Sequence, residues 1–382
     1  MKARLNNDRT LTRTEAPRPP TMRDVAILAG VHQSTVSLAL RNNPEIPVKT
    51  RERIRAIAEK VGYHPDPALD AFNFHRVANH PLRSAPQIAF LSDLASGAAF
   101  DESAARRDLY VGVRETAERM GFVLERFFVG PQNLSPLRLN GILESRNIDC
   151  AIVASFSLQT RELPLDWTRL CALKIESFHV QPQLDVITTD HTQASRLALS
   201  QLWSAGFRRI GLVLTHGEDE RLARLALAGY LVELARRTES APIAPLYADE
   251  VGIQNLPGHL AMWISRNRIE AVISNSSQIL ASIRRAGYAI PGDLGFASLD
   301  WARTDEGLAG VQANHYLVGR SVVELLAVRR QINERGVRGE MSVTFVPGCW
   351  HDGPTASRPG LGRDAEVSLP VREPALLASP AR

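Results

Sequence analysis

From residue 87 onward, short apolar runs alternate with amphipathic stretches, and this alternation constrains the fold more than any other feature of the 382 residues. "QIAFL" precedes a helical pattern near Ala104–Met120; "FVLERFFV" precedes a second near Pro136–Arg146; "DCAIVAS" follows. "LCALKI", "DVITTD", "RIGLVL", "AVISN" and "GFASLD" continue the series. A strand followed by a helix and another strand returns to its sheet by a crossover, so neighbouring strands run parallel. The expectation is two doubly wound parallel α/β units in tandem, a two-lobed domain spanning residues 86–354. A hydrophobic fraction of 44% is enough for the cores such lobes need.

Residues 21–66 obey a different period. "TMRDVAILAG" has Thr21 as N-cap and Gly30 as stop, with Val25 and Ala29 on one face. "VHQSTVSLALRNN" places Val36 and Leu40 on one face of a second helix. From Val48 to Val61 the residues Ile54, Ile57, Ala58 and Val61 follow the i, i+3, i+4, i+7 rule. Three short helices with one apolar stripe each imply a small all-α bundle. Pro65, Pro67, Pro81 and Pro86 then punctuate a linker over residues 67–85, in which Asp66 and Pro67 suit the start of a short helix reaching about Arg76. Residues 1–20 form a polar arm and 355–382 a tail rich in Pro, Gly and Arg; both are expected to be disordered.

Charge separates these regions. Residues 1–83 hold 14 Lys/Arg against 8 Asp/Glu, and the remainder 31 against 33, so a net +6 faces a net −2. A basic amino-terminal fifth fits a part that meets a polyanion, although a solubilising arm would look the same. The second helix decides more. Ser34, Thr35 and Ser37 are poor interior helix residues, because their hydroxyls compete for the backbone. On the outer face of the second helix of a helix-turn-helix, small hydroxyls and amides can approach phosphates and base edges closely. The alternative is an ordinary three-helix domain whose polar face is only solvated.

The segment "MRDVAILAGVHQSTVSLALRNNPEIPVKTRERIRAIAEKVGYHPDP" resembles the DNA-binding domain of the lactose-repressor (LacI/GalR) family of transcription regulators. The matching pieces are D-V-A, A-G-V, S-T-V-S, K-T-R-E-R-I and G-Y-x-P, in that order and spacing. "GFRRIGLVL", "GYAIPGDLGFASLD" and "LVGRSVVELL" also look like family segments in the right order, so the resemblance covers nearly everything from Thr21 to Gly353. It implies a headpiece joined through a hinge helix to an effector domain resembling periplasmic sugar-binding proteins. It further implies a homodimer, double-stranded operator DNA as partner, a carbohydrate-like effector between two lobes, and action as a repressor. An activator, or a regulator that no longer answers to a small ligand, are the alternatives.

By position the resemblance assigns base reading to His32, Gln33 and Ser34, with Leu38 one turn later. Leu38 stands where the family often has Arg; it can pack on a thymine methyl but cannot hydrogen-bond guanine, so the half-site should differ at that base. Thr35, Ser37, Asn42, Thr50 and Tyr63 match phosphate-positioning groups, and Phe72 stands where the family inserts an apolar wedge into the minor groove. The effector positions are Asp190, Arg224, Ala226, Asn275, Ser276, Asp300 and Trp301. Two depart from the family pattern: the family often has a sugar-gripping Arg close to the Ala226 position, with Arg224 here two residues earlier as the alternative, and Asn275-Ser276 stands where the family has an Asn-Asp pair. Each of these residues has a plain structural role as its alternative.

Other classes find little support. Cys150, Cys171 and Cys349 are widely spaced and form no CxxC pair, so neither a zinc site nor a redox motif is expected, and a reducing cytoplasm fits best. No run approaches the ~20 apolar residues that span a bilayer, and the amino terminus has no apolar signal core. No G-x-S-x-G, Walker loop, G-x-G-x-x-G after a strand, or H-E-x-x-H is present, so no enzyme, cofactor or metal is expected.

Overall fold

The computed structural model describes residues 20–40, 42–43, 46–63, 85–237, 243–302 and 307–358, without the side chains of Ser34 and Ser277. The expected hinge helix with Phe72, the arm, and the tail beyond residue 358 lie outside the described residues.

The headpiece has the three helices expected: α1 Met22–Ala29, α2 Gln33–Leu40 and α3 Val48–Val61. Thr21 starts α1 by donating its N–H (2.7 Å) and hydroxyl (2.6 Å) to the Asp24 carboxylate. Val25, Val36, Ala39 and Ile54 are wholly buried in the small shared core, with Ala26, Ala29 and Ala58 almost so. Leu40, Ile57 and Val61 pack at its margin.

The chain divides into two compact units, and the headpiece is grouped with the first. The first holds β1 Gln87–Ser92, α4 Gly97–Asp101, α5 Ala104–Arg119, β2 Val123–Phe128, α6 Pro136–Ser145, β3 Cys150–Ala154 and β4 Cys171–Ile175. β5 Val186–Thr189 leads into the second unit, which begins at Thr188. That unit contains α7 His191–Ser204, β6 Ile210–Leu214, α8 His216–Arg221, α9 Leu225–Ala235, β7 Leu246–Tyr247, α10 Leu256–Asn267, β8 Ala271–Ser274, α11 Ser277–Arg285, β9 Gly295–Ser298 and β10 Ala309–Gln312. The helix α12 His315–Gln331 returns the chain to the first unit, β11 Val343–Val346 leaves it again, and β12 Cys349–His351 closes the second.

Each sheet has six strands, in the orders β11-β5-β4-β3-β1-β2 and β12-β10-β9-β8-β6-β7. β1 pairs in parallel with β2 and β3, and β8 with β6 and β9; β12 runs antiparallel to β10. The doubly wound parallel architecture expected from the alternation is therefore present twice. Strands β3, β4 and β6 are buried along their whole length, as sheets covered on both faces require. Residues Thr355–Arg358, read from sequence as the beginning of the tail, belong to the second unit. Thr355 is buried and its hydroxyl accepts from Ala309 N at 2.8 Å, while Arg358 bonds Glu270 and the Gly206 carbonyl.

In the first unit α5 and α12 approach too closely for side chains. A β-carbon on Gly319 would stand 2.1 Å from the Leu109 carbonyl oxygen, and one on Gly112 the same distance from that of Tyr316. Both obstacles are backbone, which has nowhere to move. Gly319→Ala should therefore destabilise this unit by about 1–3 kcal/mol. Gly141→Ala, on α6 with nothing within 4 Å of the new carbon, should be neutral or slightly stabilising. Thermal unfolding of both variants checks this; equal melting temperatures would contradict the close-approach account.

Candidate nucleic-acid interface and ligand-binding face

Burial of Val36 and Ala39 fixes which way α2 faces. With these two inside, His32 and Gln33 are exposed, and Thr35, Ser37 and Leu38 are half-buried along the remaining surface. His32 also starts the helix, its carbonyl accepting from Thr35 N at 3.0 Å and Val36 N at 3.2 Å. Asn42 is exposed just beyond the end of α2, Thr50 is half-buried in the first turn of α3, and Tyr63 follows α3 against the core margin. Lys49, Arg53 and Arg55 add exposed positive charge along α3. One residue that sequence reasoning passed over joins them: Arg51 Nη1 donates to the Asn42 carbonyl at 3.0 Å and to its Oδ1 at 2.6 Å. Its partner lies nine positions away on another element, and no local pattern announces such a pair.

In the second unit, β6, β8 and β9 run side by side and all end at one edge. Asn275 and Ser276 follow β8, and Asp300 and Trp301 follow β9. Most of these side chains already have partners. Asn275 Nδ2 donates to Glu218 at 2.9 Å, and Asp300 Oδ1 lies 2.8 Å from His315 Nε2. Asp190 caps α7 by accepting from Gln193 N at 2.8 Å, and Ser276 caps α11 by accepting from Gln278 N at 3.3 Å. Trp301 stacks on His351 with ring centroids 3.8 Å apart and donates its indole N–H to Leu308 O at 3.0 Å. Arg224 is exposed in a left-handed conformation (φ 59°) before α9. Ala226, by contrast, is buried in the core.

A polar group that the sequence did not reveal lies after β6 and β7. Tyr247 stacks on His216 with centroids 3.9 Å apart and donates its hydroxyl to Asp219 Oδ2 at 2.8 Å. Burial and the adjacent Asp219 push the Tyr247 phenol up to about 12, so it stays a donor. Asp249 accepts from the backbone N–H groups of His216 and Gly217; burial raises its carboxyl, but these bonds outweigh it and hold the group below the usual carboxylate range.

The first unit has a comparable edge, also unforeseen. Asp93, just after β1, accepts from Ser157 N (2.9 Å), Ser157 Oγ (2.6 Å) and Thr160 Oγ1 (2.7 Å). Ser155, Glu176 and Ser177, after β3 and β4, have φ values of 58°, 52° and 47°. Non-glycine residues in this region carry strain, and such strain concentrates at ligand clamps and switch segments. From beneath, the buried Lys174 ammonium donates to Val180 O at 2.9 Å and Pro182 O at 3.4 Å, pinning the loop.

With this geometry in hand, comparison with known proteins is informative. Residues 21–66 match the family described as bacterial regulatory proteins, lacI family. The chain is 25% identical over 324 residues to the HTH-type transcriptional repressor CytR of Escherichia coli K12, covering 81% of this chain and 90% of that one. The headpiece segment is that of the lacI family of bacterial regulatory proteins, and the rest of the chain is similar in sequence to LacI-family regulators. The chain is likewise 25% identical over 244 residues to the lactose operon repressor of Escherichia coli K12, covering 61% of each. Among solved structures, CelR in complex with cellobiose superposes with a TM-score of 0.55 at 21% identity, covering 88% of this chain and 99% of that one. The lac repressor dimer bound to operator and the anti-inducer ONPF superposes with a TM-score of 0.51 at 20% identity, covering 89% and 100%. These likenesses show a LacI-type fold, a helical headpiece with two parallel α/β sheets resembling periplasmic binding proteins, and the family match over residues 21–66 marks a DNA-binding regulator. No described helix is long and apolar enough to cross a membrane.

Lys174 yields a pH test. Burial lowers its amine from 10.5 to about 8. Between about pH 8 and 10.5 the unfolded chain then holds a proton that the folded chain has lost, so stability rises with pH across that window. The gain approaches ~3 kcal/mol at its top. Relative to Lys174→Met, wild type should become steadily more stable to urea across this range; parallel curves would show that the amine does not titrate there.

Proposed function

We propose that this LacI-family regulator is a repressor that binds a near-palindromic operator as a homodimer and is released by a small carbohydrate-like effector. The carrying observation is the outward polar face of α2, fixed by the burial of Val36 and Ala39 within the segment that matches the family. On this reading His32, Gln33, Ser34 and Leu38 read bases, while Thr35, Ser37, Asn42, Thr50 and Tyr63 position phosphates. Phe72 of the hinge would wedge into the minor groove, where unstacking a base step costs a few kcal/mol and is recovered through the contacts that bending permits.

The names of the relatives support the finer claims by analogy. CytR is named a repressor, one structural neighbour holds cellobiose, and another, from Enterococcus faecium, holds ribose at 16% identity and a TM-score of 0.51. The effector would meet the strand ends of the second unit through Asp190, Arg224, Asn275, Ser276, Asp300 and Trp301. Trp301 would offer a sugar the indole face opposite His351. A second reading has its own support: Asp190, Asn275, Ser276 and Asp300 all have internal partners and Ala226 is core. These features also suit a regulator that has lost small-ligand control.

Selection of bound DNA from a random pool, followed by release assays with a carbohydrate panel, separates the two. Deletion of residues 1–85 should abolish operator binding while leaving a folded dimer; retained affinity would sink the headpiece assignment. If a sugar is found, Trp301→Ala should weaken it at least about tenfold, or 1.4 kcal/mol. Unchanged affinity would make Trp301 a packing residue.

A further inference from the structure

The headpiece helices end alike. Gly30 N bonds Ile27 O and Val31 N bonds Ala26 O; Gly62 N bonds Glu59 O and Tyr63 N bonds Ala58 O; Asn42 N bonds Ala39 O and Asn43 N bonds Leu38 O. This paired closure needs a left-handed residue at its centre. The three have φ of 64°, 70° and 61°. Glycine adopts that conformation without steric cost and ends α1 and α3. At the end of α2 stands Asn42, which enters the left-handed region less readily than glycine. A side chain kept where glycine fits better points to a use for that side chain.

Arg51 shows what the use is. Its Nη1 holds both the carbonyl (3.0 Å) and the side-chain Oδ1 (2.6 Å) of Asn42. Asn333 Nδ2 also donates to that carbonyl at 2.9 Å, so among these bonds the side-chain bond to Oδ1 is the one that Arg51 alone makes. Only the amide oxygen can accept from a guanidinium, so the bond fixes which way the amide is turned. The exposed Asn42 Nδ2 is left as a donor with no acceptor among the described residues. Reaching Asn42 also leaves Arg51 Nε buried and without an acceptor among the described residues. A side chain placed for stability alone would not leave a buried N–H unpaired; departures of this kind belong to functional positions.

We propose that Arg51 is a positioning residue for DNA binding: it locks Asn42 so that Nδ2 presents its hydrogens to a phosphate oxygen at the carboxyl end of the recognition helix. The inference rests on the reading that α2 faces DNA. It gives that face a part outside the helix, and it makes the Asn42 contact depend on α3.

The test is a double-mutant cycle on the full chain. The probe is a random-sequence duplex of about 30 base pairs, because phosphate contacts carry sequence-independent binding. Asn42→Gly preserves the left-handed turn and removes the amide; Arg51→Met keeps the apolar stem and removes the donors. Each should weaken binding about fivefold, the worth of one net hydrogen bond, and the double variant should be no weaker than either single. Circular dichroism should show the headpiece folded in each. Should Arg51→Met unfold it, Arg51→Lys, which keeps the charge and an N–H donor but not the planar fork, should bind between wild type and Asn42→Gly. Multiplicative losses would overturn the proposal. So would unchanged binding by Asn42→Gly. A salt dependence that falls by about one phosphate for Arg51→Met in the Asn42→Gly background would also overturn it, by making Arg51 a direct contact. Failure of the unaltered chain to bind the duplex would instead overturn the reading of α2.

Discussion

In a parallel sheet every strand ends at the same edge, and much of this chain's effector domain follows from that constraint. The loops after β6, β8 and β9 cannot avoid being neighbours, because those strands are neighbours in the order β9-β8-β6. Residues as distant in sequence as Thr215, Asn275 and Asp300 are thereby delivered to one edge, where α/β sheets bind their ligands. The first unit repeats the device with Asp93 after β1 and Ser155 after β3, which are also paired. The strands supply rigid, buried supports. Variation is left to the first residues beyond them, which can change without disturbing the core.

The limits of reading this molecule from its sequence follow the same division. The helix α3 was legible to the residue because four apolar positions recur at helical spacing and Gly62 ends them. The central strands were legible as continuous apolar runs. The strands β7, β10, β11 and β12 were not; β7 and β12 have only two and three residues. β11 is largely exposed, so no apolar run or alternation marks it. Asn275 and Asp300 could be picked out because they follow recognisable strands. His216, Asp219, Tyr247 and Asp249 could not, since their association exists only after β6 and β7 pair. Lys174 sits inside an apolar run, "LCALKI", and nothing in the run reveals that its amine anchors the backbone of the loop beyond.

Partnered side chains at the second unit's edge bear on how a ligand could be recognised there. Asn275 already donates to Glu218, and Asp300 already meets His315. A hydroxyl that engages either must take the place of an existing bond, so the net gain per contact is the small difference between two hydrogen bonds rather than the worth of one. Such exchange lowers affinity but sharpens choice. A ligand that breaks the Asn275–Glu218 bond without supplying Glu218 a donor leaves a half-buried carboxylate with only the longer bond from Thr215 Oγ1 at 3.2 Å, and an under-satisfied polar group discriminates between ligands more sharply than one methylene does in an apolar pocket. Ala226 works in the opposite direction. A buried alanine offers a ligand no hydrogen bond at that position, which leaves exposed Arg224, two residues earlier, as the guanidinium nearest to it in the chain. Apart from Arg224, the face is built from oriented neutral and acidic groups that already have partners, and a ligand gains by displacing those partners only where its own donors and acceptors match the same pattern.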